Sequence, residues 1–196
     1  MLELILNFLH NSSTISVIVL CWLAFYLFLT LWTFFYRFSQ LLKSNKEENQ
    51  SLNSLIAGDI KLPQSMNAIK GILQDEVNKE VMHIWKQKLL QDSSKGLTLL
   101  AIVASTAPFV GLFGTVVEIL EAFSYLGGGE GKVAFDTVAP VISKALIATA
   151  AGILTAIPAY SFHLILKRKC YELNIVLQMQ LDYLLSKKDY SQQLRF

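Results

Sequence analysis

The chain has 196 residues, of which 53% are hydrophobic and 16% charged, and its formal net charge is +2. A charge this small, with no interleaving of basic and aromatic residues, rules out a nucleic-acid-binding reading. A mean hydropathy of +0.44 is high for a soluble protein of this size and points to a membrane.

The first uncharged run, Ile15–Tyr36, is aromatic and bulky, with Trp32 and Tyr36 near one end, where amphipathic rings favour the membrane interface. No basic residue precedes it and no small-residue cleavage site follows it, so it reads as a retained span rather than a signal peptide. Two further uncharged runs follow, Gly96–Val117 and Ala145–Leu166. Each run has 22 residues, enough at about 1.5 Å per residue to cross a hydrocarbon core of roughly 30 Å. A buried helix of a soluble protein could explain any one of them; three with charged flanks are membrane spans. Of the 17 Lys and Arg, only Lys132 and Lys144 fall outside 37–95 and the stretch after Leu166. The positive-inside rule therefore puts the N-terminus outside and the C-terminus in the cytoplasm.

The polar stretch after Tyr36 is broken by turn signals in AGDIKLP (Ala57–Pro63). Ser65 then caps an amphipathic helix with Met66, Ile69, Leu73, Val77, Val81, Ile84 and Lys88 on one stripe. DSSKG (Asp92–Gly96) interrupts the pattern only weakly, so this helix is expected to run on into the second span. Beyond the third span, Cys170, Leu173, Leu177, Leu181 and Leu184 continue a helical stripe, so that span is expected to extend into the cytoplasm. The external turn contains GGGEG (Gly127–Gly131). The expectation is one all-α membrane domain over 1–196. Its spans lie near 15–36, 97–123 and 138–166, its cytoplasmic regions at 37–95 and 167–196, and its external turn at 124–137.

The second and third spans differ from the first. Ala104, Pro108, Gly111, Thr115 and Glu118 share one stripe; Ala145, Thr149, Gly152, Ala156 and Ala159 share another. Small residues let helices approach closely in lipid, and ordinary tight packing would satisfy both stripes. Two features go further. Each stripe has one threonine, and each is accompanied by an ionisable residue, Glu118 or Lys144, at matching distance from the external turn. Ionisable groups at membrane depth are costly and face an interior, a cavity or a partner. Either Glu118 and Lys144 pair near the outer mouth, within a subunit or between neighbours, or each snorkels separately to the interface. His10, His83 and His163 are scattered, with no metal-ligand spacing, nucleophile elbow or phosphate loop, so neither enzyme chemistry nor a cofactor is expected. Cys21 and Cys170 sit at different depths and read as small apolar residues.

STAPFVGLFGTV (Ser105–Val116) and ALIATAAGILTAIPA (Ala145–Ala159) together resemble the MotA/TolQ/ExbB proton channel family, in its ExbB and TolQ branch. The resemblance implies a ring, typically of five copies, in the bacterial inner membrane, with the second and third spans around a central pore. It implies two copies of a single-span partner similar to ExbD or TolR, each carrying a membrane aspartate, and indirect coupling to a TonB-like or TolA-like protein. Protons crossing the membrane would drive the partner relative to the ring, energising TonB-dependent uptake or Tol–Pal envelope maintenance. By the same resemblance Thr115 and Thr149 are the proton-pathway threonines. Ala104, Gly111, Ala145, Gly152 and Ala156 are small pore-lining residues, and Pro108 and Pro158 mark structural kinks. Lys144 stands where such proteins commonly have an acid, and Glu118 where they commonly have glycine. A non-transporting membrane scaffold and a flagellar-stator-type subunit are the alternatives.

Overall fold

The computed structural model describes residues 14–60, 62–63, 65–66, 79–126 and 135–193. Four helices account for nearly all of them: α1 Thr14–Ala57, α2 Lys79–Ser94, α3 Leu97–Leu126 and α4 Phe135–Gln193. Three helical stretches are long and apolar enough to cross a membrane, as the three runs predict. The chain is an all-α membrane protein.

α1 does not stop at the charged residues after Tyr36. It continues to Ala57 and ends where Gly58 takes φ 85°, a left-handed conformation that side chains resist. The amides of Gly58 and Asp59 turn back onto the carbonyls of Leu55 (3.3 Å) and Ser54 (3.0 Å), satisfying acceptors that a helix end leaves open. The expected run-on from the amphipathic helix into the second span is interrupted. Lys95 and Gly96 form a turn between α2 and α3, with Gly96 at φ 86°. The expected extension of the third span is present as one helix of 59 residues. The glycine-rich external turn and positions 69, 73 and 77 of the amphipathic stripe lie outside the described residues.

The chain divides into two compact units. The second comprises Phe34–Thr98 and Leu164–Phe196. Its core joins Leu55, Met66, Met82 and Trp85 to Leu173, Leu177, Leu181 and Leu184. The tail stripe is therefore the buried face it was expected to be. The α2 stripe needs correction: Val81, Met82 and Trp85 are buried, whereas Ile84 is exposed. Trp85 decides the rotation of the helix. It is fully buried and its indole Nε1–H donates to Ser65 Oγ at 3.1 Å, so the large ring and its polar edge are both accommodated.

This core also holds polar groups. Gln180 is fully buried and donates from Nε2 to the Glu48 carbonyl (2.8 Å) and to Glu48 Oε2 (3.1 Å). Asn45 Nδ2 donates to the Lys169 carbonyl at 3.1 Å. At the surface of the unit Lys95 holds the Asp92 carboxyl below its ordinary range, and Lys169, joined by Arg168, does the same for Glu172. Burial pushes the Cys170 thiol up, against the weaker pull of Arg37, and its Sγ donates to the Ser93 carbonyl at 3.2 Å.

Candidate functional site: the seam between α3 and α4

The first unit comprises Met1–Thr33 and Leu99–His163 and contains part of each of the three apolar helical stretches. Its core is built from Val19 and Leu23 of α1, Val103 and Ala107 of α3, and Ala156 and Ala159 of α4. Alanines enter this core on two of the three helices, and the reason is distance. A Cβ added to Gly111 would lie 2.6 Å from the Ala148 carbonyl oxygen and 3.1 Å from the Cα atoms of Gly152 and Thr149. A Cβ added to Gly152 would lie 2.7 Å from the Ala107 carbonyl oxygen. The two backbones touch, and only glycine fits where they do. The order of contacts, with 107 near 152 and 115 near 145, makes α3 and α4 antiparallel.

One turn from Gly111 the seam becomes polar. Thr115 Oγ1 lies 3.2 Å from both the Gly111 and the Ala145 carbonyl oxygens, and it is hydrogen-bonded to Thr149 Oγ1. Thr149 Oγ1 is 3.5 Å from the same Gly111 carbonyl. Two hydroxyl hydrogens thus serve one hydroxyl–hydroxyl bond and a choice of two carbonyls. The choice can be remade at small cost, which leaves oxygen lone pairs to accept from a protonated acid, or a hydrogen to donate to a carboxylate. Both threonines are half-buried, so the pair is reachable from one side of the seam.

The remaining predicted residues divide by burial. Gly111, Ala145, Gly152 and Ala156 are buried inside this single chain, where they form the α3–α4 seam, and Ala104 stays half-exposed. Helices α3 and α4 continue through Pro108 and Pro158, both half-buried. The ion pairs among the described residues are Lys43–Glu47, Lys95–Asp92, Arg168–Glu172 and Lys169–Glu172, all in the second unit. A Glu118–Lys144 bridge is not among them. Glu118 is instead buried within the first unit, and Lys144 is half-buried. Ser16 and Thr30 are further buried polar residues of the first unit. Sequence reading missed them because a lone hydroxyl in an aromatic span carries no periodic signal.

Three packed apolar helices with a small-residue seam and a half-exposed hydroxyl pair define a multi-pass membrane protein with a polar site among its apolar helices. The chain belongs to the MotA/TolQ/ExbB proton channel family, whose model matches residues 39–179 and so includes both threonines. Its relatives place it in the ExbB and TolQ branch. It is 49% identical over 190 residues to a protein of Helicobacter pylori named as an ExbB-like biopolymer transport protein, with 96% of this chain and 100% of the relative covered. It is 34% identical over 119 residues to the Tol-Pal system protein TolQ of Pseudomonas aeruginosa, covering 59% of this chain and 51% of that one. With the biopolymer transport protein ExbB of Xanthomonas campestris pv. campestris it shares 47% over 77 residues, covering 38% and 30%. The family is one of proton-channel-type subunits that energise TonB or Tol–Pal systems together with ExbD-like or TolR-like partners, rather than a class of enzymes.

Proposed function

We propose that this chain forms a ring in the bacterial inner membrane, of five copies as its family resemblance implies, with its N-terminus outside. The ring couples proton entry to movement of a dimeric single-span partner resembling ExbD or TolR. That movement reaches the outer membrane through a TonB-like or TolA-like protein. The observation that carries this reading is the Thr115–Thr149 hydroxyl pair, bonded across the seam and half-exposed on one side. A partner aspartate brought to that side meets donors when ionised and acceptors when protonated. Ala104 lines the approach, while Gly111, Ala145, Gly152 and Ala156 act behind it by letting α3 and α4 close up.

Thr149→Val tests this, because it keeps the shape of the side chain and removes the hydroxyl. The expected result is an unchanged native mass with lost proton flux and lost energised uptake. Normal flux and uptake in the variant would remove Thr149 from the pathway. A scaffold without transport is the second reading, favoured by the burial of the glycine seam within one chain. It predicts that wild-type protein and partner reconstituted together pass no protons at all.

A further inference from the structure

Glu118 lies on α3 one turn beyond Thr115 and four residues beyond Gly114. Its side chain is 7% exposed, and its Oε2 has no hydrogen-bonding partner among the described residues. Gly114 shows what this face of α3 meets. A Cβ there would lie 3.0 Å from Val19 Cγ1 of α1 and 3.1 Å from Ala148 Cβ of α4, so the face points into its own subunit. As the first and second of the chain's three spans, α1 and α3 share one apolar core and cross in opposite directions. Ser16, one turn before Val19, therefore stands at the level of Glu118. It is 1% exposed, and its Oγ also lacks a partner. A carboxyl and a hydroxyl, both enclosed and both unsatisfied, share one level of the same helix bundle.

Buried polar atoms are rarely left bare, and an orphaned pair marks a place where something binds. An ionised carboxylate with a bare oxygen is costly in an apolar bundle. A carboxylic acid needs only an acceptor for its O–H, and a serine hydroxyl is one. We propose that Glu118 is a proton-binding site belonging to the ring subunit itself, with Ser16 as the companion that accepts from the carboxylic acid, directly or through one water. This rests on the proton-channel reading and extends it. In the expected orientation the proton stops on Glu118, about 5 Å outward of the threonine pair along α3, before it reaches any partner carboxylate. Only one O–H bond is made on arrival and broken on departure, the proton then passing to water or to the threonine hydroxyls. Among the described residues the charged groups in register are Lys144 on α4 and Glu121 on α3, and α1 brings none between Thr14 and Leu23.

The test is infrared difference spectroscopy of the full-length ring purified without its partner, at neutral pH. The expected result is a carboxylic-acid C=O band that is lost in Glu118→Gln, shifted in Glu118→Asp and in Ser16→Ala, and unchanged in Glu121→Gln. Native mass confirms assembly of each variant, and Glu118→Asp serves if the glutamine variant fails to assemble. A spectrum with no protonated-carboxyl band, or a band indifferent to all changes at 118, overturns the proposal. So does a band that appears only when sodium is withdrawn, which would make the site a metal-cation site. The readout needs neither gradient nor partner. Failure of the channel reading shows instead as absent flux in the wild-type complex, so the two failures are distinguishable.

Discussion

Gly152 and Gly111 show why single atoms matter at the seam. Their Cα positions sit where any side chain would strike backbone rather than a flexible neighbour, so the strain cannot be relieved by a rotamer change. Gly152→Ala must push α3 away from α4 or bend one of them. Overpacking of this kind costs about 1–3 kcal/mol, and we expect Gly152→Ala to unfold in detergent several degrees below wild type. Ser161→Ala, at an exposed position of the same helix, should leave the unfolding temperature unchanged. Equal temperatures for wild type and Gly152→Ala would mean that the helices do not touch at this point. The consequence for function is geometric. Parting the backbones at 111 and 152 also parts the hydroxyls one turn away, so the alanine variant should lose proton flux with both threonines still present.

At the scale of helices, the second unit is held by an apolar core with a few enclosed polar bonds through it. Gln180 and Glu48 are buried together, and removing one partner leaves the other bare. Orphaning such a group costs about 1–3 kcal/mol, whereas replacing both partners by apolar groups can be nearly neutral. We therefore expect Gln180→Leu to lower thermal stability and the double change Gln180→Leu with Glu48→Leu to recover much of it. Additive losses in the double variant would show that the pair does not hold α1 and α4 together. The same contrast explains what could be read from the sequence. The tail leucines at 173, 177, 181 and 184 repeat at helical spacing and form the buried face. The α2 stripe misled because Ile84 and Trp85 are adjacent, and spacing alone cannot choose between two neighbouring apolar residues. The hydrogen bond to Ser65 makes that choice, and it joins residues far apart in the chain. The threonine pair was legible as two matching stripes; its carbonyl partners were not, since a backbone oxygen has no letter in a sequence. The burial of Ser16 was hidden for a related reason: a single hydroxyl in an apolar span does not say which face of α1 is enclosed.

For the whole molecule the decisive observation is how much apolar surface one chain leaves uncovered in its first unit. Trp22, Phe25, Phe28 and Trp32 on α1, Phe109 and Phe113 on α3, and Leu154 and Tyr160 on α4 are all exposed, Phe109 to 70%. Lipid can cover such residues. It offers the half-exposed hydroxyl pair nothing beyond the internal bonds the pair already makes, because hydrocarbon has neither donor nor acceptor. A subunit with a polar site on one side of an apolar bundle therefore gains further hydrogen bonds only when that side faces water, a sister subunit or a partner carboxylate. The closed ring proposed above would give every copy the same answer, with its polar side turned inward to a pore and its aromatic side outward to lipid. We expect native mass spectrometry of the detergent-purified protein to show five times the 22.0 kDa chain. On co-expression with a single-span protein bearing one membrane aspartate, the same ring should gain two small subunits. A monomer, or a ring that never takes up such a partner, would leave the hydroxyl pair without its carboxylate and return the seam to the role of ordinary helix packing.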